Sequence, residues 1–172
     1  MREVTSKEYL ERIGFKTNDI ESMISTIPIL EYTYSNELHK VVLSLIELGM
    51  DGTQIKVMIL SNPYLLLTDR NKIKEIAAYL KKDIKLSDVQ VRYIIEEYPS
   101  ILTTDISNII ANKLLLEANK FKGLVLKDIV DTNPYVLIID TKDLQENINQ
   151  LIKLGKLEDV NDDATLLTNI DM

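Results

Sequence analysis

Apolar residues in this chain recur in a fixed order that repeats four times. Eight residues before each of Pro28, Pro63, Pro99 and Pro134 stand Ile20, Ile55, Val91 and Leu126. Five before stand Met23, Met58, Ile94 and Ile129, and four before stand Ile24, Ile59, Ile95 and Val130. Steps of three and four put these side chains on one stripe of a short helix. A small or polar residue suited to a helix start precedes each stripe, namely Thr17, Gly52, Ser87 and Gly123. Each helix must close at its proline, because the residue before a proline is driven out of the α region.

Behind each proline comes an apolar pair: Ile29 and Leu30, Leu65 and Leu66, Ile101 and Leu102, Val136 and Leu137. The pattern predicts a tight turn of 3₁₀ type, started by the proline and held down by the pair. Polar caps follow at Ser35-Asn36, Thr68-Asp69, Thr104-Asp105 and Asp140-Thr141. A second, longer helix then carries Leu38, Ile73, Ile109 and Leu144, with Leu45, Leu80, Leu116 and Leu151 two helical turns further along the same face. Leu48-Gly49 and Leu154-Gly155 restart the unit. Lys85 and Lys120 stand in the glycine position of the third and fourth units, so that turn does not strictly require glycine.

The four prolines are the only ones in the chain and lie 35, 36 and 35 residues apart. A fixed period in this range marks a helical repeat, whose units bury their apolar faces only by stacking on neighbours. The expected fold is an all-α, right-handed helical-repeat solenoid of about four two-helix units, each with a 3₁₀ turn. The repeats read as 14–48, 49–84, 85–119 and 120–154. An N-terminal half-repeat over 1–13 holds a capping box at Thr5-x-x-Glu8 and an apolar face of Tyr9, Leu10 and Ile13, which predicts a helix from about Thr5 to Ile13. Residues 155–172 keep Leu157, Val160, Leu166, Leu167 and Ile170 but no fifth proline, and read as a cap with a frayed end.

Composition narrows the chemistry. With no cysteine in 172 residues, disulfides, thiol catalysis and cysteine-based zinc sites are excluded. The charged start lacks an apolar core of signal-peptide length, and no run approaches 18 apolar residues, which together predict a cytoplasmic protein with no membrane contact. Net charge −7 opposes generic binding to polyanions.

His39 is the single histidine and has no partners for a triad or a zinc site; it reads as an exposed or half-buried helix residue. Asp159, Asn161 and Asp163 alternate like the start of a calcium loop, yet Ala164 and Ile170 stand where such a loop needs glycine and glutamate. No phosphate loop or catalytic motif occurs, and adjacent carboxylates such as Glu96-Glu97 do not face each other on a helix. An enzyme, a metal site and a small-molecule cofactor are therefore not expected.

One column carries candidate binding chemistry. Seven residues before the prolines stand Glu21, Lys56, Arg92 and Lys127. Lys56, Arg92 and Lys127 would form a basic ladder able to track a phosphate backbone, positioning it without reading bases. The same column also reads as a solvated flank that happens to hold three cations. Tyr64, Tyr98 and Tyr135 beside the turns, with Tyr79 and Tyr93 in helices, could stack on bases, although packing is the commoner role for such rings.

The unit G-[FM]-x-x-x-x-I-x-x-M-I-x-x-x-P-x-L-L, clearest in Gly49 to Leu66, resembles the repeat of the mitochondrial transcription termination factor (mTERF) family. Gly14 to Leu30 and Leu86 to Leu102 match nearly as well, Phe121 to Leu137 more loosely, and the resemblance covers about residues 13 to 154. It implies repeats of two α-helices and a 3₁₀ turn stacked into a curved solenoid, with nucleic acid bound along a basic concave surface. The expected function is thus a non-enzymatic helical-repeat binding module, a nucleic-acid-binding regulator by resemblance. The alternative is a protein-interaction scaffold for a basic or apolar partner.

Overall fold

Every proline starts a 3₁₀ turn. The structure is a computed structural model that describes residues 4–169. The Ile170 expected in the C-terminal cap lies outside the described residues. The described chain is all-α, with no strand. Its helices are α1 (Ser6–Arg12), α2 (Thr17–Thr26), α3 (Ser35–Glu47), α4 (Gly52–Ser61), α5 (Arg70–Lys82), α6 (Asp88–Glu97), α7 (Ile106–Ala118), α8 (Leu124–Thr132) and α9 (Thr141–Leu154). The 3₁₀ turns Pro28–Tyr32, Pro63–Leu67, Pro99–Leu102 and Pro134–Leu137 separate the first helix of each repeat from the second.

The residues preceding the prolines explain why the first helices stop. Ile27, Asn62, Tyr98 and Asn133 have φ between −127° and −141° and ψ between 66° and 85°, outside the α region. The turn behind is held by burial. Leu65, Leu66, Ile101, Leu102, Val136 and Leu137 are all buried, each contributing about 1.5–3 kcal/mol relative to exposure. The first repeat departs from the expected pair: Leu30 is buried, but Ile29 is 61% exposed. Buried turn positions lie two and three residues after the proline, and the second of these is Glu31 here, which leaves Ile29 one step too early.

Caps follow the expectation in part. Thr5 and Glu8 form the capping box of α1, and Ser87 with Gln90 makes the same exchange at α6. Asp69, Asp105 and Asp140 each accept a backbone N–H of the second helix that follows. Three expected caps are displaced. Thr17, Gly52 and Ser35 are already the first helical residues, after Lys16, Asp51 and Tyr34. At α4 the cap is Asp51, whose carboxylate takes the N–H groups of Thr53 and Gln54 at 2.7 and 2.9 Å; Gly52 offers no side chain to do so.

The chain divides into two compact units. The first comprises residues up to Ala77 with Ile95–Thr103, and the second comprises Ala78–Ile94 with residues from Thr104 onward. In the first unit α1 packs on α2, α3 and the first 3₁₀ turn, with Leu10 fully buried. Here Lys72 donates to the Thr103 carbonyl at 2.9 Å and Asn62 to the Thr103 hydroxyl at 3.2 Å.

The second unit is tied together by asparagines. From α7, Asn112 donates to the carbonyls of Val136 and Ile139, and Asn108 to those of Leu137 and Ile139. Asn147 on α9 similarly reaches the Leu167 carbonyl at 2.9 Å. That last contact reveals a fifth turn. Up to residue 169 the C-terminal segment forms 3₁₀ turns at Glu158–Asn161 and Ala164–Leu167. Ala164-Thr165-Leu166-Leu167 repeats the proline-x-apolar-apolar pattern with alanine in place of proline. Asn133 donates to the Ala164 carbonyl and the Thr168 hydroxyl, as Asn62 does to Thr103.

Candidate nucleic-acid interface

The three cations of the expected ladder lie near the middle of the first helices of their repeats. Lys56 belongs to the first unit, on α4; Arg92 and Lys127 belong to the second, on α6 and α8. All three are half-buried, since each flanks a buried stripe residue (Ile55, Val91, Leu126). Lys56 turns its ammonium back onto its own protein, donating to the Gly14 carbonyl at 3.4 Å. A Cβ added at Gly14 would meet that ammonium at 3.2 Å, so the lysine closes over the turn behind α1. Arg92 is engaged within the protein. Lys127 makes no ion pair among the described residues. Glu21, which interrupts the column, is exposed and lies 3.8 Å from Lys7.

The tyrosines divide into two sets. Tyr64 and Tyr135, each directly after a proline, are 54% and 43% exposed, and Tyr93 on α6 is 53% exposed. The commoner packing role does not describe them. Tyr64 and Tyr135 are open to solvent because the buried turn positions begin one residue later. Tyr98 and Tyr79 are half-buried instead. Burial, reinforced by the carboxylates of Asp83 and Glu117, pushes the Tyr79 phenol up to about 12. His39 is exposed, with its Nδ1 3.1 Å from the Tyr9 hydroxyl and its ring set edge-on to the tyrosine. Partial burial raises the Tyr9 pKa.

A further set of cations falls outside the ladder column. Lys82 and Lys153 stand in the last turns of α5 and α9, and Lys85, Lys120, Lys122 and Lys156 in the links behind second helices; all six are exposed. The signal for them in the sequence was lysine in the glycine position at Lys85 and Lys120. Carboxylates concentrate elsewhere. α8 and the segment 158–167 hold Asp128, Asp131, Glu158, Asp159, Asp162 and Asp163 against the single cation Lys127. Between these segments runs a cleft with Val125 and Val160 in its lining and Asp128 and Asp162 beside them. Asp163 caps the following turn, accepting from the backbone and hydroxyl of Thr165. Among the described residues no group of three or more histidine or acidic side chains is placed to hold a metal ion, and no helix is long and apolar enough to cross a membrane.

Paired helices around a proline-started 3₁₀ turn, repeated at a 35-residue period, define a helical-repeat protein of α-solenoid type. The mTERF family model matches residues 7–160. The chain belongs to the mTERF family. No curated protein matches the chain by sequence.

Proposed function

We propose that this protein is a non-enzymatic, nucleic-acid-binding helical-repeat protein that holds its ligand through phosphate contacts, with Lys56, Arg92 and Lys127 among the contributing cations. Family membership over residues 7–160 carries this reading. Contacts of this kind position a nucleic acid without reading bases, and exposed Tyr64, Tyr93 and Tyr135 supply faces on which unpaired bases can stack. Against a whole-molecule charge of −7, binding depends on local cations and falls steeply with salt.

The test is fluorescence anisotropy with duplex DNA, single-stranded DNA and RNA at two salt concentrations. Three neutralised phosphates on a duplex give a log–log salt slope of about −2.7. Replacing Lys56, Arg92 and Lys127 by glutamate should abolish the binding. Unchanged affinity in that variant removes the site assignment, and absence of binding by the unaltered protein at low salt removes the reading.

One observation favours a second reading, a scaffold for a protein partner. The cleft beside Val125, Asp128, Val160 and Asp162 combines apolar lining with local negative charge, which suits a basic segment carrying an apolar anchor. Such a scaffold has no measurable nucleic-acid affinity at physiological salt.

A further inference from the structure

Besides Gly123 (φ 61°), directly before α8, five residues of positive φ follow helix ends: Gly14 (95°), Gly49 (90°), Lys85 (66°), Lys120 (75°) and Gly155 (68°). The geometry is a helix C-terminal motif, in which the next residue's N–H returns to a carbonyl of the last helical turn, as Phe121 does to Leu116 at 3.1 Å and Lys156 to Leu151 at 2.9 Å. Glycine adopts this conformation without penalty; a residue with a Cβ does not. Lysine therefore stands at Lys85 and Lys120 at the expense of backbone energy that glycine would save. Strain retained at a repeated position points to a use for the side chain.

The second unit brings that use into focus. Thr141, first residue of α9, bonds to Asn108 and Asn112 on α7, and the two are the second helices of successive stacked repeats, which run in the same direction and open their C-terminal links at the same edge. As the second helix of the preceding repeat, α5 closes at that edge as well. Each of the three helix ends, taken with the link behind it, presents two exposed lysines: Lys82 and Lys85, Lys120 and Lys122, Lys153 and Lys156. None of the six ammonium groups has a hydrogen-bond or ion-pair partner among the described residues. Neighbouring cations differ in this respect, since Lys81 pairs with Asp88 at 2.5 Å and Lys113 with Glu117 at 2.8 Å. The carboxylates left on these links are Asp83, Glu158 and Asp159.

We propose that this lysine edge of the second unit is a phosphate-backbone contact surface for a bound nucleic acid, and that Lys85 and Lys120 keep left-handed backbones because their ammonium groups serve there. The proposal rests on the nucleic-acid reading above and extends it beyond Lys56, Arg92 and Lys127. Flexible point charges repeated link after link suit a regular polyanion, which they hold without sequence discrimination.

The deciding variant is Lys85→Gly with Lys120→Gly, compared with Lys85→Arg with Lys120→Arg. The glycine pair relieves strain and removes two contacts. It should melt at a higher temperature than the unaltered protein, yet bind mixed-sequence duplex DNA more weakly, with a salt slope shallower by about 1.8. The arginine pair should retain the affinity. A higher melting temperature with unchanged affinity and slope overturns the edge and leaves the nucleic-acid reading standing. No duplex binding by the unaltered protein, even at low salt, overturns both. Polyglutamate binding as tightly as the duplex overturns the assignment by giving the edge to an acidic protein.

Discussion

The Thr141 hydroxyl donates to the side-chain oxygen of Asn112 at 2.7 Å, while the Asn112 amide nitrogen donates to the carbonyls of Val136 and Ile139 at 3.0 and 2.8 Å. Asn112 is fully buried, and these bonds join α7, the fourth proline turn and the start of α9. A 3₁₀ turn leaves carbonyls without helical partners, and a buried carbonyl without a donor is costly. The asparagine supplies the donors from the preceding repeat.

Replacing Asn112 by leucine should therefore destabilise the protein by about 2–3 kcal/mol despite the gain in hydrophobicity, since the carbonyl of Val136 loses its donor. Urea denaturation measures this as a lower midpoint at unchanged slope. A midpoint equal to that of the unaltered protein would show that the turn finds other donors.

Ala164→Pro should stabilise the fifth turn. Asp163, directly before it, has φ −141° and ψ 91°, close to the −136° and 75° of Asn133 before Pro134. Backbone already shaped for a following proline gains from the reduced freedom of the unfolded chain, typically about 0.4–1 kcal/mol. Asn133 keeps its acceptor, because proline retains the carbonyl. Thermal melting of the single variant is the check, with a rise of a few degrees expected and a fall counting against the fifth-turn register.

Alkaline pH should weaken the fold through Tyr79. Its phenol is raised from 10.0 to about 12, chiefly by burial and then by Asp83 and Glu117. The folded state thus holds this proton more tightly than the unfolded state. The associated stability is present in full below pH 10 and is lost as pH rises toward about 12. Tyr79→Phe cannot ionise. The difference in stability between the unaltered protein and this variant should shift in favour of the variant between about pH 9 and pH 11.5. A constant difference across that range would mean the phenol titrates normally.

The covalent chain by itself determined the period, the helix pairs and the turns. Proline blocks the α conformation of the residue before it, and apolar steps of three and four fix which helix face is buried. Both are local rules, legible wherever Pro28, Pro63, Pro99 and Pro134 stand. Family membership was legible for the same reason. The fifth turn was missed because its proline is Ala164, and only the acceptors that Asn133 finds at Ala164 and Thr168 identify it. Tertiary structure alone decided the state of each charge. Lys56 and Lys122 are both plain lysines in the sequence. Packing turns the Lys56 ammonium onto the Gly14 carbonyl and leaves Lys122 exposed. A cation's availability depends on which carbonyls and carboxylates come within reach of its long stem, and for Lys56 that carbonyl belongs to a residue 42 positions away.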